Sequence, residues 1–197
     1  MANTTDEGAL HRLGYDPQNH IPPITRSSIH RSPYWNRHLF GVSVADLVPL
    51  AVSLSYISGT QGPMHTPSPF LCMLLKLLQL APTTPEISVY LDQTHFKYPR
   101  ILAAFYIRLM ETPAAVHRLL EPLLSDYRKL VARSVDVAPF MPTVSTNGTF
   151  VIVHVDDIVD ALLTQRELFG IPLPRLPPRP LLVETAQLSA RKSALAL

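Results

Sequence analysis

The chain has 197 residues, 47% of them apolar and 16% charged, with 20 Pro, a single Cys and a net charge of +2. A domain of that length buries roughly 70% of its unfolded surface, and so low a charged fraction argues against disorder of the whole chain. One Cys excludes a disulfide framework and any multi-thiolate metal site, no apolar run reaches the roughly 20 residues of a membrane span, and the charge alone does not announce a nucleic-acid binder.

Residues 1–22 show no apolar periodicity and read as a flexible N-terminal segment; Met1 to Gly14 is polar and unlike a secretory signal. Pro22 and Pro23 suit a helix start, followed by the apolar anchors Ile24, Ile29, Tyr34, Trp35, Leu39 and Phe40, with a break at Pro33 and an end at Gly41. Ser43 with Asp46 forms a capping box for a helix through Leu47, Val48, Ala51 and Leu54, kinked at Pro49. Ser58 to Pro63 reads as a loop. Ser68-Pro69 is a cap and first-turn proline, and Phe70 to Leu80 is apolar on nearly every face, the pattern of a buried central helix. Further helices start near Pro85 (capped by Thr84), near Pro99 and near Pro113 (capped by Thr112). In the Pro99 helix Arg108 lies at the edge of the apolar stripe, its guanidinium directed to water or a carboxylate. Pro122 separates the Pro113 helix from another carrying Tyr127, Arg128 and Lys129.

Ser134 to Gly148 dissolves into a loop, and Phe150 to Val155 is the one clear strand-like run, with Asn147-Gly148 as a possible hairpin turn. Val155, Ile158, Val159, Leu162 and Leu163 then form a helical face, with Asp156, Asp157 and Asp160 opposite it near the positive helix end. Ile171 to Pro180 is extended and proline-rich, and a short alanine-leucine helix ends the chain. The expected fold class is mainly α. It comprises one compact multi-helix domain over residues 23–170, at most a small β-hairpin near residues 143–155, and a proline-rich tail with its short helix over residues 171–197.

Catalytic patterns are absent from the sequence: no His-Glu-x-x-His, no Gly-x-Ser-x-Gly, no phosphate-loop Gly-Lys pair and no Gly-x-Gly-x-x-Gly. Cys72 sits on the all-apolar helix, which makes it an inert core thiol. His154 with Asp156 and Asp160 is conceivable as a metal set, but cap and dipole already explain those carboxylates. The expectation is a protein that is not an enzyme and needs no cofactor or metal. Lys97-Tyr98-Pro99-Arg100 and Tyr127-Arg128-Lys129 interleave aromatic and basic residues as single-strand binders do, which keeps open a small helical RNA-binding protein.

The run Thr66-Pro67-Ser68-Pro69-Phe70-Leu71-Cys72 with its leucine-rich continuation resembles the pre-mRNA-splicing factor 38 family, whose usual variant is Lys-Pro-Thr-Pro-Phe-Leu-Cys. Phe96-Lys97-Tyr98-x-Arg100, Ala104-x-Tyr106-x-Arg108-Leu109, Leu120-Glu121-Pro122-Leu123, Asp126-Tyr127-Arg128-Lys129, His154-Val155-Asp156-Asp157 and Leu173-Pro174-Arg175-Leu176-Pro177 follow in the family's order. Pro33 to Trp35 and Phe40-Gly41 match its early landmarks. Departures are the Ser58 to Pro63 loop, Pro22-Pro23, a longer Ser134 to Thr146 loop, and no acidic or arginine-serine tail. The resemblance implies a nuclear, non-catalytic helical scaffold of the tri-snRNP and precatalytic spliceosome, needed for activation. Its implied companions are a zinc-finger spliceosomal protein and the microfibrillar-associated protein 1 homologue, with RNA contact only inside the assembled spliceosome, no membrane, and a monomer outside it.

Charge adds where docking is expected. Basic residues dominate from Lys97 to Arg133 and acidic ones from Ser134 to Glu167. Glu121, Asp126, Tyr127, Arg128 and Lys129 are expected to form one partner face, and Asp156, Asp157 and Asp160 an acidic one.

Overall fold

The computed structural model describes residues 3–62, 64–142 and 149–190. Helices α1 (Glu7–Leu13), α2 (Pro23–Arg31), α3 (Val44–Val52) and α4 (Pro69–Leu80) are followed by α5 (Thr84–Leu91), α6 (Lys97–Met110) and α7 (Pro113–Leu120). Then come α8 (Ser134–Val137), α9 (Val155–Thr164) and α10 (Arg179–Glu184). The strands are β1 (Thr60–Gln61), β2 (Thr66–Pro67), β3 (Lys129–Arg133), β4 (Phe150–His154), β5 (Glu167–Leu168) and β6 (Ile171–Pro172), paired antiparallel as β1–β2, β3–β4 and β5–β6. The mainly α expectation holds, with the β structure among the described residues confined to three two-stranded pieces.

The central helix forms for local reasons. Ser68 Oγ accepts from the Leu71 N–H at 3.1 Å, and Pro69 presets the first turn. Every residue from Phe70 to Gln79 is then buried. Even Lys76 is only 4% exposed; its ammonium donates to Gln79 Oε1 at 2.9 Å and lies 5.6 Å from the centre of the Trp35 ring. Helix α6 packs against α3, α4, α5 and α9. Phe169 sits between Phe70 and Phe105, its ring centre about 6.0 Å and 5.9 Å from theirs. Gly59 allows that packing, because a Cβ there would lie 2.3 Å from the Phe169 carbonyl oxygen.

Several elements differ from expectation. The N-terminal segment, without periodicity, nevertheless carries α1 and a 3-10 turn over Pro17–His20. Asp6 caps α1, Gly14 ends it with φ 72, and the Trp35 indole donates to Asn3 Oδ1 at 3.0 Å. Hydrogen bonds rather than an apolar stripe therefore hold it down. Helix α5 starts one residue early, with Glu86 accepting from the Thr83 N–H. The Ser58 to Pro63 loop contains β1, and the loop from Ser134 opens with α8.

The largest difference lies after Pro122. A 3-10 turn over Glu121–Ser125 replaces further α-helix, and Lys129–Arg133 is a strand. Leu130 and Ala132 point into the core while Lys129, Val131 and Arg133 face out, and pairing with β4 overrides the helix propensity of the run. The predicted Asn147-Gly148 turn lies outside the described residues, as does the terminal alanine-leucine segment; β4 pairs with β3 in the register Lys129↔His154 through Arg133↔Phe150. Ile57 bridges the other side of β3.

Arg108 also departs from expectation. It is 3% exposed, and its guanidinium donates to the carbonyls of Leu162 (2.7 Å) and Pro174 (2.6 Å) instead of reaching water or a carboxylate. The Leu162 carbonyl belongs to the last turn of α9, which has no helical donor of its own.

Candidate docking surfaces

Cys72 and the carboxylates near His154 are the residues that bear on nucleophile and metal chemistry. Cys72 is fully buried beside Ser32 Oγ at 3.8 Å, and burial pushes its thiol up to about 12. The carboxylate set that gathers near His154 is Asp156 and Asp157, with donor atoms within 4.8 Å of one another; Asp160 is not part of it. Asp157 is already engaged, accepting from the His154 N–H at 2.9 Å as the cap of α9. Among the described residues, no helix is long and apolar enough to cross a membrane.

The basic face divides into fixed and free residues. The Asp126 carboxylate accepts from Arg128 (Nη2 2.6 Å, Nε 2.8 Å) and from Arg100 Nη1 at 2.8 Å. The Arg128 bonds lead in holding its carboxyl down at about 2. Arg128 further donates to the Thr94 carbonyl, while the Asp126 and Arg128 carbonyls accept from the Asp156 and Val155 N–H groups. Asp126 and Arg128 thus pin α9 and β3 to the α5–α6 junction. Tyr127, 70% exposed, and Lys129 remain open to a partner.

Glu121 lies elsewhere. It accepts from Arg179 Nε at 2.6 Å and Nη2 at 3.2 Å, and contacts His117 Nδ1 at 3.2 Å. This clamp ties α7 and the following 3-10 turn to the start of α10.

The acidic residues converge on a groove of about 390 Å³, where Asp156, Asp157 and Asp160 rim a floor of Leu124, Phe140, Met141 and Ala161. A second hollow of about 290 Å³ shares Leu124 and Asp160 with it and extends past Leu163 to His117, Glu121 and Arg179. Asp156 Oδ1 and His117 Nε2 are buried without a hydrogen-bond partner. Together the hollows offer apolar anchors under a carboxylate rim, the chemistry of a docking site for a basic protein segment. Sequence reasoning missed the Arg108, Arg100–Asp126 and Glu121–Arg179 contacts, because their partners are far apart in the chain.

The sequence profile described as the PRP38 family matches residues 11–186. The chain is 38% identical over 195 residues to pre-mRNA-splicing factor 38 of Arabidopsis thaliana, covering 99% of this chain and 52% of that one. It is 37% identical over the same length to pre-mRNA-splicing factor 38A of Homo sapiens, of which it covers 59%. The chain thus spans between half and three-fifths of the length of these relatives. Among solved structures it is similar to a chain of the Snu23-Prp38-MFAP1(217-258) complex of Chaetomium thermophilum, with a TM-score of 0.82 and 36% identity over 92% of this chain and 89% of that one.

Proposed function

The chain belongs to the PRP38 family, and from that premise we propose that it is a non-catalytic scaffold of pre-mRNA splicing. In this reading it works in the nucleus with the tri-snRNP and the precatalytic spliceosome, and supports spliceosome activation by docking protein partners. Those partners are counterparts of the Snu23 and MFAP1 components named with the similar chain of Chaetomium thermophilum; in this reading one of them is the zinc-finger protein that the resemblance implies. The observation that carries the reading is the carboxylate-rimmed apolar groove along α9, on a core whose ionisable residues make structural rather than reactive contacts.

We assign docking to two faces: Tyr127 and Lys129, set in place by Asp126 and Arg128, and the groove of Asp156, Asp157 and Asp160, with Glu121 lining the adjoining hollow. Direct RNA binding is the weaker reading. Arg100 and Arg128 are bound to Asp126, and the Lys97 ammonium donates to the Lys129 carbonyl and sits 5.4 Å from the centre of the Tyr98 ring. In those two aromatic–basic runs Lys129 is the cation left for phosphates among the described contacts.

Affinity capture of the tagged chain from nuclear extract tests the proposal. It should recover the two counterparts and tri-snRNP proteins. Tyr127→Ala with Lys129→Glu, and separately Asp156→Asn with Asp160→Lys, should each lower capture of one counterpart at least tenfold without lowering the melting temperature. Undiminished capture by both folded variants would remove the two faces, and recovery of no splicing protein would remove the scaffold reading.

A further inference from the structure

The strand pair β3–β4 has one finished edge and one open edge. Its register makes residue numbers in each cross-strand pair sum to a constant, and the bonds Val155 N–H to Arg128 carbonyl (3.0 Å) and Ser134 N–H to Thr149 carbonyl (3.2 Å) fix which pairs exchange hydrogen bonds. By that alternation Val151 and Val153 bond to β3, while the backbone groups of Phe150 and Ile152 point away from it. Four of the corresponding outward groups of β3 are filled. Val131 N–H donates to Tyr98 Oη at 3.4 Å, Ile57 N–H to the Val131 carbonyl at 2.9 Å, Arg133 N–H to the Ile57 carbonyl at 3.3 Å, and the Lys97 ammonium to the Lys129 carbonyl.

Nothing among the described residues does the same for β4. Its last outward N–H, that of His154, is taken by Asp157, so the open edge consists of the N–H and C=O groups of Phe150 and Ile152. Their side chains are 49% and 63% exposed on the outer face, where Phe150 meets the Tyr56 ring at 5.2 Å between centres. The cross-strand neighbours on that face are Arg133, Val131 and Lys129, so its strand residues bring cations, and the Asp157 carboxylate at the His154 end is engaged by the His154 N–H.

We propose that the open edge of β4 receives an extended segment of a partner protein by strand addition, with apolar residues beside Phe150 and Ile152 and acidic residues facing Lys129 and Arg133. An edge with unpaired backbone groups and exposed apolar side chains is a template for another strand, and natural sheets commonly blunt such edges with charge or proline. Phe150 to His154 carries neither lysine nor proline. A second copy of this chain fits less well, because the strand residues of its own outer face bring further cations to Lys129 and Arg133. This surface is separate from the acidic groove, so its failure would leave the scaffold reading intact.

The test uses the full chain, isotope-labelled for NMR, and an octapeptide of alternating valine and threonine with an aspartate at each end. Expected are shifts centred on β4, slowed amide exchange at Phe150 and Ile152, and at least tenfold weaker binding by Ile152→Lys. Ile152→Pro, which removes an N–H that β3 does not use, should behave the same; should it fail to fold, Ile152→Lys decides. Absence of shifts at millimolar peptide, equal binding by a lysine-ended peptide, or concentration-dependent self-pairing through β4 without peptide would each overturn the proposal.

Discussion

Replacing Arg108 with methionine keeps the aliphatic stem of the side chain and removes its two donors. The Leu162 and Pro174 carbonyls, bonded to the guanidinium at 2.7 Å and 2.6 Å, would lose them. Hydrogen bonds to charged groups contribute about 1.5–3 kcal/mol each, so the gross loss is about 3–6 kcal/mol. Removing a buried cation recovers part of that, since burial also pulls the Arg108 pKa down. A net cost of about 3 kcal/mol corresponds to roughly 6–12 °C in melting temperature for a domain of this size. Thermal denaturation followed by circular dichroism measures the shift. Hydrogen exchange should locate the damage at the last turn of α9 and at the Leu173 N–H, which donates to the Arg166 carbonyl at 2.8 Å. A methionine variant that melts at or above the parent temperature would refute the view that Arg108 straps the proline-rich segment to α9.

Leu74→Asp or Leu75→Asp should unfold the chain, because both positions are 0% exposed and would bury a charge without a partner at a cost of several kcal/mol; an unshifted melting curve would contradict the central placement of α4. Asp126→Asn should lower stability at pH 7 by about 2 kcal/mol. The Asp126 carboxyl is held below its ordinary 3.8 at about 2, so its stabilisation is present above pH 4 and fades as pH falls through 2. Urea titrations between pH 7 and 2 should show the variant losing less stability with acid than the parent.

Much of the helical frame was legible because its signals are local. The Ser43–Asp46 box, the Ser68-Pro69 start, the Thr112 cap and the apolar face of α9 all act within one or two turns of chain. The strand at Lys129–Arg133 was not legible as read, because Tyr127-Arg128-Lys129 suits a helix surface and only the distant β4 decides otherwise. Its period of two, Leu130 and Ala132 inward, was the available signal. The N-terminal helix had readable ends in Asp6 and Gly14, but among its described side chains Ala9 alone is buried, so apolar periodicity could not show it. At the docking faces, sequence placed the acidic residues on one side of α9. It could not show that Asp126 and Arg128 are occupied with each other, with Arg100 and with Thr94, or that Glu121 belongs to a clamp on Arg179.

The β3–β4 ladder also bears on how such a chain can change over evolution. The chain leaves the ladder at Arg133 and re-enters it at Phe150, two residues that face each other, so the excursion starts and ends at fixed, adjacent points. Its first part is anchored, with Val137 fully buried and Asp136 accepting from Ser58 Oγ at 2.7 Å. Between ends held so close together, a change in the length of a connection is cheap in general, since doubling a flexible loop costs only about 0.6 kcal/mol in closure entropy. Insertions and deletions between Arg133 and Phe150 should therefore cost the chain less than ones inside either strand, where each would shift the register of the whole ladder.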